Sequence, residues 1–223
     1  MTDLCHLPAG ELVRRMAAGS VSCREVIEAH LDRIEAINPQ LNALVVATDP
    51  ELCRQQADAA DARVARGEPV GRLHGVPVVV KDVIKVAGLA CSGGVEPLRA
   101  VASDDATVVS RLRAEGAIVL GLTNVPEMGR GGESNNKLYG RTNNPFDLSR
   151  TPGGSSGGSA ALVCAGGAAL SVGSDGGGSI RQPSHNTGIA GLKPTHGRIP
   201  RTGSVFGDAS GIFGHFNCYG PLA

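Results

Sequence analysis

Val76-Pro-Val-Val-Val80 is a short apolar run bounded by Gly75 and by Lys81-Asp82. Its length and β-branched content predict a buried strand. Downstream, Asp105 through Glu115 predicts a helix with Val108, Val109 and Leu112 turned inward, ended by Gly116. Ala117-Ile-Val-Leu120 predicts the next strand. Strand, helix, strand implies a right-handed crossover within a mainly parallel sheet. A helix near Ser159–Ala165 and a strand near Ala168–Val172 continue the alternation. The pattern predicts an α/β fold.

Upstream of the valine run the chain changes character. Residues 1–70 hold three glycines and many charges, and read as an outer layer of helices. Ser22-Cys-Arg-Glu25 is a capping-box pattern, followed by Val26, Ile27, Leu31, Ile34 and Ile37 at near-helical spacing. Asn38-Pro39 is expected to stop that helix. Asp49-Pro50 sets an N-cap with proline at the first helical position, and Gly67 closes the segment. Residues 151–223 are the opposite, with 18 glycines and only six Asp, Glu, Lys or Arg, so they read as buried, tightly turning backbone.

Composition excludes several classes. Lys+Arg and Asp+Glu are equal at 21 each, so the neutral chain lacks the electrostatic footprint of a general nucleic-acid binder. Hydrophobic residues at 41% supply a core. No apolar run approaches the ~20 residues a membrane-spanning helix needs. The start, Met1-Thr-Asp-Leu-Cys-His6, has no basic and apolar leader, which predicts a cytoplasmic protein. Six scattered cysteines without a CxxC then read as reduced thiols.

The chemistry concentrates in Thr151-Pro-Gly-Gly-Ser-Ser-Gly-Gly-Ser159 and Gly173-Ser-Asp-Gly-Gly-Gly-Ser-Ile-Arg181. Apolar runs lie between the two clusters, unlike a flexible linker. No Gly-Lys pair exists, so a phosphate loop is rejected. Gly153-Gly-Ser155-Ser-Gly157 satisfies GxSxG, but a proline-bearing turn precedes it where a nucleophile elbow needs a strand. The six histidines show no metal-ligand spacing, and no metal is expected. His185 and His196 lie near enough in sequence to be candidates for a conventional Ser–His pair.

Lys81 leaves the end of the apolar strand. Desolvation there lowers a lysine pKa and makes the amine a general base, whereas a snorkelling side chain would stay charged. Gly176-Gly-Gly178 exposes consecutive backbone N–H groups just before Ser179, a nest suited to an oxyanion. Ser155, preceded by Gly153 and Gly154, can take backbone shapes closed to most residues.

Gly75 through Asp82, Thr123-Asn-Val-Pro-Glu127, Pro152 through Ala160, Gly173 through Arg181 and Gly191-Leu-Lys-Pro-Thr195 together resemble the amidase signature family. The resemblance runs from about Leu73 to Ala223, around two thirds of the chain. It implies a mainly parallel mixed sheet flanked by helices, with residues 1–70 as the N-terminal layer and 71–223 as the core. It further implies a Ser–cis-Ser–Lys triad. Lys81 would be the base, Ser155 the bridging serine behind a cis peptide and Ser179 the nucleophile. Gly176, Gly177 and Gly178 would hold the oxyanion, Ser156 would support the relay, and Asp175 and Arg181 would orient the loop. No cofactor is implied.

Two departures stand out. Gly176 occupies a place where the family often has Thr or Ile, and His185-Asn186 replaces a small–aromatic pair. Gly220-Pro-Leu-Ala223 resembles a mid-chain family motif, so the fold is expected to be truncated, with an open sheet edge and exposed apolar surface. The expected activity is hydrolysis of a small-molecule carboxamide to an acid and ammonia or an amine. The alternatives are the A subunit of a tRNA-dependent glutamyl amidotransferase and an inactive remnant or binding module. A homo-oligomer, or a split enzyme completed by a second half, is the expected assembly. Neither a nucleic acid nor a membrane is an expected partner.

Overall fold

The computed structural model of the protein describes residues 4–207 and 212–223. In chain order, α1 (Ala9–Ala17), α2 (Cys23–Leu41), β1 (Leu44–Ala47) and α3 (Pro50–Ala65) come first. Next come β2 (Pro77–Lys81), a short ladder of β3 (Ala90–Cys91) with β4 (Ala100–Val101), α4 (Thr107–Ala114) and β5 (Ile118–Thr123). A second ladder, β6 (Asn135–Asn136) with β7 (Gly140–Arg141), precedes α5 (Gly157–Cys164), β8 (Leu170–Asp175), α6 (Arg181–Thr187), α7 (Ile212–Phe216) and β9 (Cys218–Leu222).

The main sheet has the order β1-β5-β2-β8-β9. The inner strands β5, β2 and β8 are parallel, and both outer strands run antiparallel to their neighbours. This is the mixed, mainly parallel sheet expected. Side-chain alternation divides the apolar residues between two clusters. Ile118 and Leu120 join the cluster containing Leu12, Ile27, Ile34 and Leu162. Val119 joins Val80, Ile84, Val109, Val172 and Tyr219 on the other side.

Local signals explain most boundaries. The capping box at Ser22 and Glu25 is formed in both directions. Asp49 accepts from Glu51 N at 3.0 Å, with Pro50 opening α3. The expected stop at Asn38-Pro39 is not where α2 ends. A proline in the last turn removes one donor, yet the helix runs on to Leu41. Asn42 closes it in the left-handed region (φ 50°). The Asn38 side chain finishes the end, accepting from Ala43 N (2.9 Å) and Leu44 N (2.8 Å).

Further boundaries moved: the strand expected at Ala117–Leu120 runs over Ile118–Thr123, and the helix expected over Asp105–Glu115 covers Thr107–Ala114. The strand expected at Ala168–Val172 is observed over Leu170–Asp175, because β9 pairs with its far end through Ser174↔Tyr219 and Asp175↔Cys218. The helix expected at Ser159–Ala165 starts two residues earlier, at Gly157. The sheet edge expected to be open is partly covered. Gly191 bridges Leu222, and Leu192 N donates to Pro221 O at 3.1 Å. No helix among the described residues is long and apolar enough to cross a membrane.

The first turns of α5 are buried on every side, from Gly157 through Leu162. The helix packs across β1, β2, β5, β8 and β9 and touches α2. Gly158 permits this approach. A Cβ there would lie 2.5 Å from Asn124 N and 2.8 Å from Ala43 O, both main-chain atoms.

Candidate active site

The parallel strands deliver their C-terminal ends to one place, as α/β folds do at their ligand sites. Lys81 is the last residue of β2, in register with Thr123 on β5. It is 0% exposed, so it does not snorkel to water. Its Nζ lies 2.6 Å from Ser155 Oγ, 2.9 Å from Ser174 Oγ and 3.4 Å from Ser174 O. Burial lowers its pKa to about 7, and the Asp175 charge opposes the drop. A substantial fraction of such an amine is neutral at physiological pH.

Ser155 follows a cis Gly154–Ser155 peptide. Gly154 N donates to Gln182 Oε1 at 3.2 Å, which ties this turn to α6. Ser134 holds the other side. Its hydroxyl donates to Gly153 O and Ser155 O (3.3 and 3.4 Å), and it accepts from Gly157 N at 2.9 Å. Ser156 sits at the N-cap of α5, with Oγ donating to Ser174 O at 3.3 Å. Its backbone N donates to Ser179 O at 3.1 Å, so the two Gly/Ser segments are stitched together.

Asp175 shapes the second segment. It accepts from Gly178 N (2.7 Å), Ile180 N (3.1 Å) and Arg181 N (3.2 Å), and pairs with the Arg181 guanidinium through two contacts of 3.0 Å. Burial pushes its pKa up, but the Arg181 pair and the backbone donors outweigh this and hold it well below the usual carboxylate range. This wiring modifies the expected nest. Gly178, at φ 115°, spends its N–H on Asp175. Among the described residues, the N–H groups of Gly176, Gly177 and Ser179 donate to no protein group.

Ser155, Ser174, Ser179, Gly176 and Gly177 all line one cavity of about 560 Å³. The same cavity is lined by the 128–132 loop and by Phe206, Asn217 and Tyr219. Lys81 lies beneath, in contact with two of the lining serines. His185 and His196 are not among the lining residues; the His196 ring packs near His215, centroids 5.9 Å apart. The described residues contain no group of three or more potential metal ligands.

Several participants were not singled out by sequence. Ser174 belongs to the quoted Gly173–Arg181 segment, but nothing in its spacing marks it as the second hydroxyl on Lys81. Gln182 and Ser134 act through single hydrogen bonds formed across the fold. Asp82, adjacent to Lys81, is fully buried and accepts from Ser92 N (2.9 Å), Ser92 Oγ (2.5 Å) and Gly94 N (3.4 Å). Burial raises its pKa against those hydrogen bonds. It anchors the 92–94 turn, where Gly93 O accepts from Met128 N at 2.8 Å.

The sequence profile of the family described as Amidase matches residues 25–223. The chain belongs to the amidase family. Among curated amidase relatives, the A subunit of the glutamyl-tRNA(Gln) amidotransferase of Salinispora arenicola (strain CNS-205) is 48% identical over 206 residues, which is 92% of this chain and 42% of the relative. The chain thus spans less than half the length of that relative. Among solved structures, fatty acid amide hydrolase superposes with a TM-score of 0.90 at 32% identity, covering 100% of this chain and 40% of that one. A bacterial aryl acylamidase of the amidase signature family gives 0.85 at 36% identity, covering 97% and 44%.

Proposed function

We propose that this amidase-family chain cleaves carboxamides through an acyl-enzyme on Ser179. The observation that carries the reading is the fully buried Lys81 amine 2.6 Å from Ser155 Oγ. In this reading, neutral Lys81 takes the Ser155 proton while Ser155 takes the Ser179 proton. Ser179 Oγ attacks the amide carbon. The N–H groups of Gly177 and Ser179, with Gly176 beside them, face the developing oxyanion, and Gly178 serves the loop through Asp175. Collapse breaks the C–N bond, and the relay returns the proton to the departing nitrogen. Water then cleaves the ester by the same relay in the opposite sense.

Labelling with a serine-reactive fluorophosphonate tests this. Ser179 is expected to be labelled, and Lys81→Met to abolish labelling. Labelling elsewhere, or labelling that survives Lys81→Met, removes the relay. A second reading is favoured by the curated relatives at 42–48% identity, which are the A subunits of glutamyl-tRNA(Gln) amidotransferases. Glutamine-dependent ammonia release together with co-purification of a second protein chain would select it.

A further inference from the structure

Resting on the amide-cleaving reading, we propose that Arg130 selects carboxamides that carry a carboxylate remote from the scissile bond. Among the described residues lining the cavity, Arg130 is the one charged side chain and none is acidic. The remaining lining residues are glycines, apolar groups, serines, Gln182, Asn217 and Tyr219. A neutral amide needs no such cation, whereas a carboxylate finds in guanidinium a planar fork of matched geometry.

The backbone holds Arg130 close to the reacting serines. Met128 N donates to Gly93 O (2.8 Å), Gly129 N to Pro126 O (2.9 Å) and Arg130 N to Glu127 O (3.1 Å). Met128 and Gly129 both take left-handed conformations, at φ 59° and 64°, which folds the loop back on itself. A Cβ placed on Gly129 would lie 3.9 Å from Ser155 Oγ. The neighbouring residue therefore starts within a side-chain length of the proposed relay. Arg130 has a protein interaction of its own, so an incoming carboxylate shares or competes for its five donors. Arg130 is also an exposed residue, which screens the attraction. The expected preference is about tenfold, at the low end for a charge-assisted hydrogen bond.

The test compares ammonia release from matched amides: glutaramate against pentanamide and succinamate against butanamide, with 4-aminobutanamide as the cationic counterpart. Wild-type kcat/KM is expected to favour at least one carboxylated member by about tenfold. Arg130→Ala is expected to collapse that ratio, mainly through KM, and Arg130→Glu to turn preference towards the ammonium-bearing amide. Fluorophosphonate labelling of Ser179 in each variant shows whether the site is assembled. Labelled wild type with no preference for either carboxylated amide overturns this proposal alone, as does a preference that survives Arg130→Ala. Wild type with no labelling of Ser179 overturns the amide-cleaving reading and this one with it.

Discussion

Replacing Lys81 by Met removes the buried amine and keeps an unbranched chain of similar length. The fall in pKa from 10.5 to about 7 corresponds to about 5 kcal/mol of preference for the neutral form. Between those two values the unfolded chain binds the proton and the folded chain does not, so wild-type stability rises with pH across that window. Below about pH 7 the full cost of the buried charge is present, and near pH 10 most of it is gone. Against this, Met loses the contacts to Ser155 and Ser174, about 1 kcal/mol each. Lys81→Met is therefore expected to be about 2–3 kcal/mol more stable than wild type at pH 6 and about 1 kcal/mol less stable at pH 10. The two stability curves should cross near pH 9. Urea denaturation followed by circular dichroism, at intervals from pH 6 to 10, measures the difference with other titrations common to both proteins. Curves that stay parallel would show that the folded lysine keeps an ordinary pKa and would refute the reasoning.

In the proposed reaction, the rate of amide cleavage should follow the same group. kcat/KM for an uncharged amide is expected to climb as Lys81 loses its proton around pH 7 and to level off above it, and a profile flat from pH 6 to 8 contradicts a neutral-amine base. Gly158→Ala gains helix propensity but drives a methyl into the Asn124 and Ala43 main chain, which cannot swing aside. A net loss of about 2 kcal/mol in urea denaturation is expected, and a neutral or stabilising result would show that α5 can retreat from the sheet.

The parts of the fold legible in the sequence were those written in contiguous residues. The valine run before Lys81 announces a buried strand, but a lysine ending such a strand could equally reach out to water, and only the neighbouring glycine clusters pointed to a desolvated amine. Asp49-Pro50 and Gly67 mark both ends of α3 because caps are local chemistry. Pairings across long separations were not legible. β9 extends β8 by three residues, and that extension brings Ser174 onto a strand beside Lys81. The engagement of the Gly178 N–H by Asp175 likewise depends on how a loop closes, which a run of glycines leaves open. Asn38 reads as a helix stop by its pairing with Pro39, yet its side chain secures the turn beyond a helix that continues past it.

Helix α5 carries a consequence for residues that hold no chemistry. Its opening turns, which follow directly from Ser155 and Ser156, have no solvent face. One side rests on the sheet and another meets α2, with Arg33 Nε donating to Ala165 O just past its end at 2.7 Å. A segment built of Gly, Ser, Ala and Leu with both flanks occupied has no direction in which a bulkier side chain could escape. Deleting the first 65 residues would strip one flank, wet an apolar helix and loosen the turn that aims the Ser155 hydroxyl at Lys81. The proposed amide turnover should therefore be as sensitive to substitutions on the inward face of α2 as to many within the cavity itself.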